Sequence, residues 1–192
     1  MNETYVYEMI LFAVLSAISI GILAWRKHLG IVKLKNVGIL TGIGIGSSLI
    51  VAAILSLLNV IAGDTSFMQE YAASGAGSLT TTEVPMVVMI LLSGLASPIV
   101  EEAVFRVGFY ALFDKFIKKD VPRKELLCIV GSTIFFGFMH TGVVQIIYAL
   151  IMGLMLSVIY VKSKKNAVCP MIVHVTFNMT SIIASTIVAA IM

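Results

Sequence analysis

Six stretches of the chain are apolar over about the length of a membrane crossing, and most polar residues fall in the gaps between them. About 20 apolar residues in helix cover the hydrocarbon core, and lipid tolerates only backbone whose hydrogen bonds close internally. The stretches run over 5–25, 37–62, 86–113, 126–141, 143–161 and 167–191. The fourth is short and meets the fifth through His140-Thr141-Gly142, which predicts a helical hairpin. The one long connection, 63–85, is rich in Gly, Ser, Thr and Ala. It reads as a plain outer loop, with a lid over a substrate entrance as the alternative. The pattern predicts an all-α fold, a polytopic transmembrane helical bundle of about six spans.

Within the second stretch, Gly38, Gly42 and Gly46 recur every four residues. Glycines so spaced predict a groove into which another helix packs closely. Gly44 between them gives the run the look of a phosphate loop, but no basic residue follows and the segment lies mid-membrane.

Composition agrees with the pattern. Of 192 residues 59% are hydrophobic and 12% charged, about half the charge of a soluble domain. The placement of charge is more informative than its net value of +3. Apart from Arg106, every Lys and Arg falls within 26–35, 115–124 or 162–165, while Glu3, Glu8, Asp64, Glu70 and Glu83 occupy the alternate connections. Basic residues that punctuate hydrophobic spans follow the positive-inside pattern. A nucleic-acid partner would need one continuous basic face, so none is expected. The expected localisation is the cell membrane, multi-pass, with the basic loops cytoplasmic and both termini outside. The N-terminal stretch has no basic segment before it and no small-residue cleavage site, so a retained helix is expected. Cys128 and Cys169 fall near cytoplasmic ends of spans and read as packing residues, not as a disulfide.

The third stretch carries Glu101-Glu102-Ala103-Val104-Phe105-Arg106. Each charge at the centre of a membrane helix costs roughly 2.5–3.5 kcal/mol, so such a cluster is kept for a structural lock or for chemistry. Glu102 and Arg106 stand four apart, on one helix face, and can pair. Glu101 is turned away, with Phe105 at its own i+4 position. His140 closes the fourth stretch one turn after Phe136, and the sixth holds His174 and Asn178 four apart. Alone, each histidine reads as a cap or as polar glue between helices. Together, a free carboxylate, two imidazoles and an amide suit the activation of a water and the stabilisation of an oxyanion. Alternatively Glu101, His140 and His174 would ligate a zinc ion that activates the water.

Glu101-Glu102-x-x-x-Arg106, Phe136-x-x-x-His140 and His174-x-x-x-Asn178 resemble, in order, the three signature motifs of the CPBP intramembrane proteases. These include the type II CaaX prenyl endopeptidases and the Abi or bacteriocin-processing proteins. The resemblance covers roughly 84–191, setting a protease core apart from the N-terminal helices and loop of 1–83. It implies an all-helical intramembrane endopeptidase whose site opens to the cytoplasm. Glu101 and His140 would activate the water, His174 and Asn178 would form the oxyanion hole, and Glu102, Arg106 and Phe136 would support them. Whether zinc assists stays open at this point. The chain is shorter than the eukaryotic prenyl proteases and lacks their extra spans, a departure that counts against a prenylated C terminus among the three candidate substrates, the others being a leader peptide or bacteriocin precursor and another membrane protein.

Other intramembrane proteases lack support. The sequence has no His-Glu-x-x-His and no Gly-x-Ser-Gly around Ser93 or Ser97, and Asp64 stands in a loop without an intramembrane partner. Two other readings use the same residues: a non-catalytic immunity or peptide-binding protein of the same fold, and a proton-coupled carrier. The carrier predicts an inverted repeat, which the sequence does not show. One difficulty is depth. At ~1.5 Å per residue from the cytoplasmic ends, His174 lies about 10 Å deep, Glu101 about 18 Å and His140 about 21 Å. A shared site requires them to converge.

Overall fold

Chain segments with no water to satisfy their backbone must close their hydrogen bonds within themselves, and nearly all of each apolar stretch is helical. The structure, a computed structural model, describes residues 3–63, 66–67, 69–70 and 86–191. Among the described residues the long helical rods are α1 (Glu3–Trp25), α2 (Leu34–Ala62), α3 (residues 86–116), α4 (Lys124–Phe138), α5 (Val143–Lys162) and α6 (Val168–Ile191). No strand occurs among the described residues. Of the rods, α2, α5 and α6 are long and apolar enough to cross a membrane, and the chain is a helical membrane bundle.

The rods alternate in direction, so the connections 26–33, 117–123 and 163–167 gather at one end, the basic end. The first and last of these are tied together there. His28 Nδ1 donates to the Lys165 carbonyl at 2.9 Å, Ala167 N–H donates to the His28 carbonyl at 2.8 Å, and Asn166 Oδ1 accepts from the Gly30 and Val168 amides. At the other end, Gly142 turns α4 into α5 with a φ of 90°, a conformation only glycine adopts without strain. Glu70, on the connection after α2, reaches this turn and accepts from the Val144 N–H at 2.9 Å. Residues 71–85, where an outer loop or lid is expected, lie outside the described residues.

The most extensive helix pairing is α2 along α6, and it corrects the expected glycine groove. The positions where a side chain on Gly38, Gly42 or Gly46 would sit meet nothing within 4 Å. A Cβ on Gly44 would instead overlap Thr176 Oγ1 and the Val173 carbonyl of α6. Gly44 is two residues from Gly42 and from Gly46, hence on the opposite side of the helix. One turn further on, the hydroxyls of Ser48 and Ser181 bond across the seam at 2.8 Å.

The third rod runs without a break through Gly94 and Pro98. Its hydrogen bonding widens to the i→i+5 pattern over Ile90–Ala96 and again over Glu102–Phe109. Such π segments change which residues share a face and recur at functional sites. α3 packs on α4 and α6 with its charged face, while α1 leans on its other side.

Candidate active site

The second π segment positions the charges. Glu102 and Arg106 are fully buried, and Arg106 Nε stands 3.1 Å from Glu102 Oε2, close enough for an ion pair though not aligned as a hydrogen bond. The predicted i, i+4 pair is therefore present. Arg106 is held further by α4: Nη1 donates to Ser132 Oγ at 3.3 Å, and Ser132 in turn donates to the Phe105 carbonyl at 2.6 Å. Its guanidinium carbon lies 4.9 Å from the centre of the Phe136 ring, a cation–π contact strengthened by exclusion of water.

His174 of α6 sits between the two glutamates. Its Nδ1 bonds Glu102 Oε1 at 2.9 Å, and its Nε2 stands 3.6 Å from Glu101 Oε2. Because Glu102 also faces Arg106, it is the acceptor, so Nδ1 of His174 carries the proton and Nε2 is the end presented to Glu101. Glu101 is not without a partner: Ser97, one turn earlier on α3, donates its hydroxyl to Glu101 Oε1. Adjacent residues on an ordinary helix diverge by about 100°, yet both glutamates reach one imidazole where the helix changes from α to π.

His140 is positioned by backbone. Its Nδ1 lies 2.9 Å from the Phe136 carbonyl, and a carbonyl only accepts, so Nδ1 carries the proton and the neutral ring offers Nε2 as a base. Phe136, 1% exposed, packs against His140, His174 and Arg106 together, with ring centres 4.9 Å and 5.7 Å from the two imidazoles. Asn178, one turn after His174, donates through Nδ2 to the Ser93 carbonyl at 3.0 Å. Ser93 lies within the first π segment, where the widened turn lets a carbonyl accept from a side chain.

Glu101, His140, His174 and Asn178 line one cavity of about 250 Å³, with Phe136, Ser93, Ser97, Gln145 and Tyr148 among its walls. The expected convergence is met despite the spread in depth along straight helices. The pairing within it differs from expectation in one respect, since Glu101 is directly paired with His174. Sequence reasoning missed Ser97, Gln145 and Tyr148. Ser97 had a signal, since it stands four residues before Glu101 and so on the same face; the other two follow the α4–α5 turn and are brought in only by the hairpin.

The cavity runs from His140 at the α4–α5 turn to His174, six residues past the start of α6 at the basic end. The residues expected to ligate zinc all line it, but no three His, Cys, Asp or Glu side chains among the described residues are grouped to hold a metal ion. As placed, the donors do not fit zinc, and no step below runs through it.

No curated protein and no solved structure matches the chain. The family model described as Rce1-like, type II CAAX prenyl endopeptidase, matches residues 83–180. That is just over half of the chain, and it takes in Glu101, Glu102, Arg106, Phe136, His140, His174 and Asn178. The chain therefore belongs to the Rce1-like family of type II CAAX prenyl endopeptidases, a family of membrane proteases.

Proposed function

We propose that the chain is an intramembrane endopeptidase in which Glu101 and His140 activate a water, while His174 and Asn178 stabilise the oxyanion. One observation carries this reading: four polar side chains, from α3, α6 and the turn that follows α4, line a single cavity inside the bundle. Glu101 takes a proton from the water as its oxygen attacks the peptide carbonyl, and His140 Nε2 accepts a hydrogen bond from the water's remaining O–H and so orients it. Glu101 then passes its proton to the leaving amine as the C–N bond breaks. A protonated His174 donates through Nε2 to the carbonyl oxygen, held in place by Glu102 on Nδ1. Asn178 has two N–H groups; one is bonded to the Ser93 carbonyl and the second is available for the oxyanion.

In this state Glu101, Glu102, Arg106 and His174 carry charges that sum to zero, which lowers the cost of placing them in a bundle. Residues 84–191 form the protease core and the helices of 1–83 brace it through α2. The substrate is a peptide or membrane protein: a prenylated C terminus, a leader peptide or bacteriocin precursor, or a membrane protein. The basic loops face the cytoplasm and both termini face outward.

The test compares peptide termini in membranes and medium from cells expressing the wild type or Glu101→Gln at equal level. Termini that appear with the wild type alone, and persist when membranes are assayed after chelation, support metal-free cleavage. Loss of those termini on chelation replaces it with the zinc-assisted alternative. Identical termini, with any cellular phenotype retained by Glu101→Gln, replace it with the non-catalytic immunity or peptide-binding role.

A further inference from the structure

A second cavity among the described residues is larger than the one that gathers the polar residues. A groove of about 600 Å³ lies on the reverse side of α3, between it and α1. Its α3 wall is built from positions three to four apart, Ala103, Val104, Val107, Gly108, Ala111 and Leu112. The opposite wall is Ser19, Ile22 and Trp25 of α1. Only the end nearest the basic connections is charged, and there the groove is bounded by Arg26 and Lys115. Neither cation has an ion-pair partner among the described residues, whereas Lys124 nearby is paired with Asp114 at 3.3 Å. Trp25 is 79% exposed beside Arg26, as a tryptophan at the headgroup level of a bilayer is.

We infer that this groove is a binding site for one anionic phospholipid, its phosphate held between Arg26 and Lys115 and an acyl chain laid between α1 and α3. Charge and length both fit. The walls are apolar throughout apart from Ser19 and the two cations, and a basic pocket between membrane helices suits an anionic headgroup. From Lys115 to Ala103 the groove descends ~18 Å along the helix, close to one leaflet's half of the ~30 Å hydrocarbon core. The site is independent of the peptidase reading and borders it only through α3, whose other face holds Glu102 and Arg106.

The test is native mass spectrometry of the full chain released from vesicles of phosphatidylcholine with or without phosphatidylglycerol, with lipid titration for affinity. The wild type should retain one phosphatidylglycerol and no phosphatidylcholine. Arg26→Gln/Lys115→Gln should weaken retention roughly 30-fold, at about one kcal/mol for each basic group near the surface. Gly108→Leu should abolish it without changing charge, because a Cβ there meets only the Ala103 carbonyl at 3.7 Å and a larger side chain extends into the groove. Lys118→Gln/Lys119→Gln, an equal loss of charge outside the groove, should leave retention intact. Equal retention in all variants, or equal loss in the Lys118/Lys119 control, overturns the inference. So does a lipid-free dimer of the wild type that Gly108→Leu dissociates, since a second copy would then be the occupant.

Discussion

Arg106 is the residue on which the buried charge balance turns. It is fully buried with Glu102, and the pair is further fixed by His174, Ser132 and Phe136. Removing one partner of a buried pair leaves the other charge uncompensated, which costs about 3–5 kcal/mol, whereas replacing both can be nearly neutral. Arg106→Met should therefore lower the thermal unfolding midpoint sharply in detergent, and Glu102→Gln/Arg106→Met should recover most of the loss. Equal midpoints for wild type and Arg106→Met would show that the pair contributes little to stability. This contact was legible in the sequence because four-residue spacing fixes a helix face whatever surrounds it. The approach of Glu101 to His174 was not, because it depends on where α3 widens, and no residue type in Ile90–Ala96 or Glu102–Phe109 announces a π turn. Ser97 was overlooked for a different reason: a serine four residues from a glutamate is ordinary on any helix, and only the burial of its neighbours gives the bond significance.

Among the elements, α2 shows how a motif can name the right helix and the wrong face. Small residues every four positions permit close approach but do not compel it, and Gly38, Gly42 and Gly46 leave their side open. The face that packs is marked by Gly44 and Ser48, a glycine and a serine four apart, with a hydroxyl to bond across the seam. The two faces should respond oppositely to substitution. Gly44→Leu must push α2 off α6, because even a Cβ overlaps Val173 and Thr176; a loss on the order of several kcal/mol is expected from a clash against backbone. Gly38→Ala, Gly42→Ala and Gly46→Ala should be neutral or stabilising by up to ~1 kcal/mol each, since alanine is the better helix former. Thermal unfolding of the four single variants decides it, and destabilisation by all four alike would restore the three-glycine groove. The helix ends were read from sequence to within a few residues, as apolar length dictates, but the facing of α2 depended on a partner more than 100 residues away.

At the scale of the whole molecule, two expectations drawn from the sequence pull against each other. The Lys and Arg pattern sets the basic connections on the cytoplasmic side, while the family resemblance implies a site open to the cytoplasm. In the fold, the cavity runs from His140 at the α4–α5 turn, remote from those connections, to His174, six residues past the start of α6 at the basic end. Counting along α4, His140 stands ~20 Å or more from the basic end. Both expectations hold if substrate enters from the basic side at the His174 end of the cavity, ~9 Å along α6 from those connections. The groove behind α3 offers no such route, since its wall is the reverse face of the helix carrying Glu101. With the orientation proposed above, the scissile bond is presented near the middle of the bilayer, where Glu101 meets His174. Single cysteines placed in a Cys128→Ser/Cys169→Ser background test this directly with a membrane-impermeant thiol reagent on intact cells. Thr141→Cys, exposed at the α4–α5 turn, should react from outside, and Lys119→Cys, at the basic end, only after the membrane is opened. The reverse labelling would invert the bundle, turn the His140 end of the cavity to the cytoplasm, and make the basic loops an exception to the charge rule.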